Sequence, residues 1–368
     1  MRILLSGGGT AGHINPAVAV AKYAMEADKD TRVLFVGTKK GLESSLVPAE
    51  GFDIKYVNVS GLKKELSVSS AISAFKMGTA LIKTIAIMKK FKPDIVVGTG
   101  GYVCVSSVMA AKLLGIPAII HEQNVFPGSA VKFLADKCSI TAISFDESRK
   151  YLKNAGNILL TGNPIRPAIL EHNFEECKKK LGVCGKKVIL CFGGSLGAAR
   201  INDVMTDFLH KYPLSDDTVL YFGTGKREYD RVVNLFESKN ISLKDNIKLL
   251  PYIDNMDILM NAADVLICRS GAITLAELCA LGKPSVLIPS PNVTNNHQEY
   301  NARALSDIGA AITIKECDFN ADSLKKALYG IIYDEDNADT MSRLSRKLGI
   351  TDACEKIYEE MKKLTAHK

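Results

Sequence analysis

The sequence contains no tryptophan, and aromatic residues of all kinds fill only 7% of its 368 positions. Its basic residues are not interleaved with rings, which argues against the stacking platforms that single-stranded nucleic acid requires. Nine cysteines are present, an odd number without a C-x-x-C pair. Cys177, Cys184 and Cys191 recur every seventh residue, which is no metal-ligand spacing, so reduced thiols of a cytosolic protein are expected. No uncharged apolar run reaches the roughly 18 residues that a membrane span needs. The first apolar run leads straight into a glycine turn, so no secretory leader is expected. There is also no H-E-x-x-H, no Cys/His cluster and no Ser-His-Asp order. The triplets "DKD" (28–30) and "DED" (334–336) carry the letters of a metal-binding pair but sit in polar surface stretches. No metal and no other cofactor is expected.

What is present is an alternation of strands and helices along the whole chain. "RILLSG", "TRVLFVG", "DIVVGTG" and "PAIIHE" read as buried parallel strands, rich in β-branched residues and closed by glycine or polar residues. "KVILCFGG", "TVLYFGTG", "DNIKLLPYI", "DVLICRSG" and "PSVLIPSP" repeat the plan in the second half. A chain of this length suits two domains, and each half reads as an α/β doubly wound parallel sheet. The prolines of "TGNPIRP" (161–167) mark the linker. The expected domains are residues 1–163 and 164–345, followed by a C-terminal helix over 346–368. The two domains are expected to face one another, with ligands in the cleft beyond the carboxyl ends of the strands. The net charge of +7 suits phosphate-rich ligands or an anionic membrane face without choosing between them.

The opening stretch, "LLSGGGTAGHINP", places Gly7, Gly9 and Gly12 in the G-x-G-x-x-G pattern of dinucleotide sites. Such a site needs an acidic residue at the end of the second strand to hold the ribose. Here that strand runs into Gly-Thr-Lys-Lys, while Asp28 and Asp30 precede it. An NAD site is thereby disfavoured, although Lys39 and Lys40 leave NADP open. Three further glycine turns, "GTGGY" (98–102), "GGSLGAAR" (193–200) and "RSGAITLAE" (269–277), each follow a strand and open a helix. Four such turns at corresponding strand ends suit a ligand with several polar parts, such as a nucleotide-sugar. Glu277, two turns into its helix, can accept both hydroxyls of a ribose. His13 lies at a helix N-terminus, which disfavours the imidazolium and keeps the ring available as a base. His121 follows two isoleucines at a strand end and reads as structural. Glu122, Gln123 and Asn124 follow it and are expected to face the cleft.

The motifs "GGGTAGHINP", "GTGGYV", "HEQN", "GNPIR", "GGSLGA", "CRSGAITLAEL" and "NHQEYNA", in this order over almost the whole length, closely resemble the MurG family. That resemblance implies the GT-B fold, with the 346–368 helix packing back on the first domain, and an inverting transfer from UDP-N-acetylglucosamine to undecaprenyl-pyrophosphoryl-N-acetylmuramoyl-pentapeptide. It implies no essential metal and a peripheral position on the cytoplasmic side of the cell membrane. By motif, Thr10, Ala11 and Gly12 match the family's first glycine turn, near sugar and acceptor, with Ala11 where a glycine is usual. Asn124 matches a sugar contact, and Arg166 and Ser195 match residues that reach the nucleotide and its phosphates. Ile253 matches the position whose backbone meets uracil. Ala272, Ile273, Thr274, Leu275, Ala276 and Glu277 match the donor loop, with Glu277 on the ribose. Gln298 matches a contact to the N-acetylglucosamine ring, while His297 replaces the second glutamine common beside it.

The implied reaction is attack by the muramoyl 4-hydroxyl on the anomeric carbon, with His13 as base and Glu122 as alternative or helper. The first domain would then hold acceptor and membrane, the second the UDP-sugar. A lipid-linked acceptor requires contact with an anionic membrane surface. The stretch 60–93 offers one, with Lys63, Lys64, Lys76, Lys83 and Lys90 beside Ile72, Phe75, Ile82, Ile85 and Met88. A diacylglycerol-type glycolipid glycosyltransferase and a non-catalytic nucleotide-sugar binding protein are the alternatives.

Overall fold

The computed structural model describes residues 1–59, 68–194 and 196–366, with side chains from Phe75 onward in the helix that begins at Val68. The chain forms two compact units, Met1–Ile165 with Ile350–Lys368, and Arg166–Gly349. The boundaries drawn from the sequence fall slightly before both divisions.

Unit 1 begins with β1 (Arg2–Gly7), α1 (Ala11–Ala27), β2 (Arg32–Gly37), α2 (Glu43–Ala49) and β3 (Ile54–Tyr56). It continues through α3 (Val68–Phe91), β4 (Ile95–Gly100), α4 (Tyr102–Leu113), β5 (Ala118–Glu122), α5 (Ser129–Leu134), β6 (Ile140–Ile143) and β7 (Ile158–Leu160). The seven strands are parallel, in the order β3-β2-β1-β4-β5-β6-β7. Side chains alternate across the sheet, as the pleat requires. Ile3 and Leu5 pack with α1 on one face, whereas Leu4 packs with α3 and α4 on the other. Both faces are covered, which is why these strands read as continuous apolar runs.

Unit 2 repeats the plan after α6 (Phe174–Leu181). Its elements are β8 (Lys187–Phe192), α7 (Ala199–Lys211), β9 (Thr218–Gly223), α8 (Tyr229–Ser238), β10 (Ile247–Leu250) and α9 (Met256–Ala262). Then come β11 (Val265–Cys268), α10 (Ala272–Leu281), β12 (Ser285–Leu287), α11 (His297–Ser306), β13 (Ile312–Thr313), α12 (Ala321–Ile332) and α13 (Glu335–Lys347). The parallel order is β10-β9-β8-β11-β12-β13. One face buries Ile189, Phe222 and Ile267 against Phe208, Phe236 and Leu328. The last helix, α14 (Ala353–Ala366), belongs to unit 1, where Ile357, Tyr358 and Met361 join the cluster around α1.

In both sheets the strand order reverses beside the first strand, between β1 and β4 and between β8 and β11. A crevice opens where order reverses. The four glycine turns singled out in the sequence are the loops on the two sides of these two reversals. Two Rossmann-like units in one chain are what the GT-B fold implied by the resemblance requires.

One expectation needs correction at α3. Met88 is 1% exposed and, with half-buried Ile85, packs into the core against α4 and not outward. Phe75 and Ile82 are the apolar residues on the outer face, 74% and 70% exposed, beside exposed Lys83, Lys89 and Lys90. The sequence reading placed Phe75, Ile82, Ile85 and Met88 together beside the lysines, whereas a helix packed on a sheet divides its apolar residues between two sides. Lys63, Lys64 and the Ile72 side chain lie outside the described residues.

Candidate active site

At the reversal in unit 1 the loop after β1 meets the loop after β4. The Gly8 N–H donates to the Gly100 carbonyl at 3.3 Å. Close approach is possible because both sides lack side chains. A Cβ on Gly101, whose φ is +78°, would lie 2.5 Å from the Gly8 oxygen, and one on Gly100 would lie 2.5 Å from His13 Cδ2. His13 is the third residue of α1. Its Nδ1 lies 3.0 Å from the Gly8 carbonyl oxygen and 3.2 Å from the Thr10 hydroxyl. A carbonyl only accepts, so in the neutral ring Nδ1 carries the hydrogen and Nε2 the lone pair. Thr99 donates its hydroxyl to the His13 carbonyl at 2.6 Å and fixes the start of α1. Thr10, Ala11 and Gly12 are exposed around the ring.

In the "HEQN" segment His121 is structural, as expected, whereas Glu122 and Gln123 do not face outward as expected of them. His121 is 1% exposed, bonded to Gly162 O, Gln123 and Ser144, and burial pulls its pKa down to about 4. Glu122 and Gln123 are also buried, at 2% and 3% exposure. The Gln123 amide donates to the Thr99 carbonyl. Glu122 accepts from the Asn124 backbone and side chain at 2.9 and 3.1 Å and from Gly128 N–H at 2.8 Å. Burial pushes its pKa up against these donors. Its carboxylate therefore ties the loop beyond β5, and Asn124 is the partly exposed residue of the four. The cause is that β5 continues through Glu122 as a central strand, so both of its faces are covered.

In unit 2 the helix α10 begins at Ala272 behind Gly271, which supplies no capping side chain. Its first-turn N–H groups make an electropositive end suited to an anion. Ile273, Thr274 and Ala276 are partly exposed, Ala272 is largely buried, and Leu275 is fully buried, so its side chain belongs to the core. Glu277 is held by Arg166 in a bidentate pair, Nε to Oε1 at 2.8 Å and an Nη to Oε2 at 3.1 Å. Such forks fix orientation as well as charge. Ile253 is buried against Gly223, where a Cβ would meet its Cδ1 at 2.7 Å. Gln298 accepts from Ser290 N–H at 2.9 Å, and its carbonyl accepts from the Ser270 hydroxyl at 2.8 Å. Ser195 lies outside the described residues.

Several residues that the sequence reading passed over hold these loops. Glu43, first residue of α2, is 1% exposed and reaches back to Gly9 N–H at 3.0 Å. Ser270 joins the end of β11 to α11, and buried Asn301 donates to the Ser270 carbonyl at 3.2 Å. Arg269 bonds the Ile288 and Pro289 carbonyls and pairs with Glu316. Buried polar residues beside glycine turns were the available signal. A cavity of about 680 Å³ in unit 2 lies at the opposite strand ends, lined by Lys187, Asp264, Lys283 and Pro284. Its ammonium groups are already engaged, since Lys283 donates to the Asn261 and Ala263 carbonyls and Lys187 donates to the Ile332 carbonyl. Among the described residues, no three His, Cys, Asp or Glu side chains gather as a metal site.

The glycosyltransferase family 28 N-terminal domain matches residues 3–143, and the C-terminal domain of the same family matches 188–357. A UDP-N-acetylglucosamine--N-acetylmuramyl-(pentapeptide) pyrophosphoryl-undecaprenol N-acetylglucosamine transferase of Thermoanaerobacter sp. (strain X514) is 44% identical, covering 99% of this chain and 100% of its own. The transferase of the same name from Clostridioides difficile (strain 630) is 40% identical over 99% of this chain and 89% of its own. The crystal structure of Acinetobacter baumannii MurG superposes with a TM-score of 0.80 at 26% identity, covering 98% and 99% of the two chains. The chain belongs to the MurG family. A Staphylococcus aureus MnaA–UDP co-structure, at 18% identity and a TM-score of 0.69 over 98% and 96% of the chains, shares the fold. The MurG-family relationship spans both units, so the glycine turns of both sheets lie within it.

Proposed function

We propose that this chain transfers N-acetylglucosamine from UDP-N-acetylglucosamine to the muramoyl 4-hydroxyl of an undecaprenyl-pyrophosphoryl-linked MurNAc-pentapeptide, in peptidoglycan synthesis. The observation that carries the reading is identity of 40–44% to transferases of that name across essentially the full chain. Unit 2 holds the donor. The α10 N-terminus and the glycine turn after β8 face the diphosphate, Glu277 accepts from the ribose hydroxyls, and the backbone at Ile253 meets the base. Arg166 orients Glu277 from one side and reaches toward the phosphates, Ser195 adds a phosphate contact, and Gln298 meets the sugar ring.

Unit 1 supplies the acceptor side. His13 Nε2 takes the proton of the 4-hydroxyl as its oxygen bonds to the anomeric carbon. The bond from that carbon to the diphosphate oxygen breaks, UDP leaves with the electron pair, and a single displacement converts an α-linked donor to a β-glycoside. The charge growing on UDP is met by backbone N–H groups. Glu122 acts on the loop that carries Asn124, since its oxygens already accept from that loop. Thr10, Ala11 and Gly12 line the acceptor side of His13.

The acceptor's lipid calls for contact with a membrane surface, and the position that goes with this reading is peripheral, on the cytoplasmic side of the cell membrane. Among the described residues no helix is long and apolar enough to cross one. The outer face of α3, with Phe75, Ile82 and three exposed lysines, combines apolar insertion with attraction to anionic lipid. Nucleic acid is not among the partners of this reading. Purified protein given UDP-N-acetylglucosamine and a lipid-linked muramoyl acceptor should release UDP only when both are present. Release without acceptor, or none with both, refutes the reading.

A further inference from the structure

In a nucleotide-binding sheet the N–H groups of the first glycine turn commonly face a phosphate. Here one of them faces a carboxylate of the chain itself. Glu43 Oε2 accepts from Gly9 N–H at 3.0 Å, while Oε1 accepts from Thr38 N–H at 2.9 Å and the Thr38 hydroxyl at 2.7 Å. Thr38 in turn accepts from Gly41 N–H at 3.1 Å. The slot is built for this side chain. A Cβ on Gly8 would lie 2.7 Å from Glu43 Oε1, one on Gly37 would lie 2.6 Å from its Cγ, and one on Gly41 would strike the carboxylate. Burial alone would push the carboxyl up, but the Gly9 and Thr38 donors outweigh it and hold the group below its usual range. The bound species is therefore a carboxylate, and charge-assisted bonds of this kind are strong.

We propose that Glu43 is a built-in anion that takes the place of a phosphate at the first glycine turn and is a positioning residue for His13. The chain of contacts is short. Glu43 holds Gly9, the adjoining Gly8 presents its carbonyl to His13 Nδ1, and that bond sets which ring nitrogen carries the lone pair. A turn braced from within keeps its shape before any substrate arrives, which suits catalysis that depends on a preset base. This inference rests on His13 being the base, but its test separates the two.

The test is Glu43→Gln in the full chain with 15N-labelled histidine. An amide of the same size must turn its NH2 toward Gly9 N–H or toward the Thr38 donors, so at least one bond is lost. The His13 nitrogen shifts, which report a single Nδ1–H tautomer in the parent, should move toward a mixture. Turnover should fall ~10- to 100-fold, the scale of small misplacements of a reacting group, with donor KM within about twofold and UDP affinity by calorimetry unchanged. Thr38→Ala, which keeps the charge and removes one donor, should move the same shifts by less, and it serves if the Gln variant does not fold. Unaltered His13 shifts in whichever variant folds overturn the proposal. So does a joint loss of UDP affinity and thermal stability, which marks a general structural role. Shifts that move while His13→Ala retains turnover leave the positioning intact and remove His13 as base.

Discussion

At the scale of single residues, the geometry concentrates on one imidazole. His13 is oriented by a carbonyl of its own glycine turn and walled by Gly100, so its replacement removes the base without disturbing the donor unit. His13→Ala should lower kcat by ~100-fold or more, the range of general-base loss, and leave the donor KM nearly unchanged in steady-state assays. His121 makes a different prediction. Its pKa is about 4 in the fold against 6.5 ordinarily, so between those values the unfolded chain binds a proton that the folded chain refuses. Stability from His121 is complete above 6.5 and is lost as the pH falls, by about 2 kcal/mol at pH 5. Buried Glu122, with its pKa raised, acts in the opposite sense. The comparison that isolates His121 is denaturation of parent and His121→Gln at pH 7 and pH 5, where the variant should show the smaller acid loss. The sequence made His13 and His121 legible because a residue's place after a strand or a glycine turn is local information. It hid Glu43, whose partners lie across a loop at Gly9 and Thr38, and it set Glu122 facing outward because one strand says nothing about its neighbours on either side.

At the scale of elements, strands were legible where they lie within an apolar run bounded by glycine or proline. β1, β2, β4, β5, β8, β9, β10, β11 and β12 all fall within the runs quoted from the sequence. β3, β6, β7 and β13, of two to four residues each, lie at or next to a sheet edge without such punctuated runs and were not read. Helix α3 shows the complementary weakness, since an apolar residue on a helix can serve the core or the surface. Met88 serves the core, whereas Phe75 and Ile82 do not. Replacing Phe75 and Ile82 together by serine should reduce retention on anionic vesicles at low salt by ~10-fold, given the apolar area withdrawn from lipid. UDP affinity should be unaffected. Retention equal to the parent's would place the lipid contact elsewhere.

At the scale of the molecule, the repeated strand order explains why four glycine turns recur, two at each reversal. That organisation was legible because parallel strands linked by helices leave few topologies open. The destination of α14 was harder to see, because its partners lie at the other end of the chain. Met361 is fully buried against unit 1, and Met361→Ala should cost that unit ~2–5 kcal/mol. Hydrogen exchange should show the loss in β1 and β4 and none in β8 and β11. The order of synthesis adds a consequence. The ribosome delivers β1 before unit 2 and α14 only after it. Until α14 emerges, the nascent first sheet waits with the hollow for Ile357, Tyr358 and Met361 uncovered, an apolar surface open to chaperones and to premature partners.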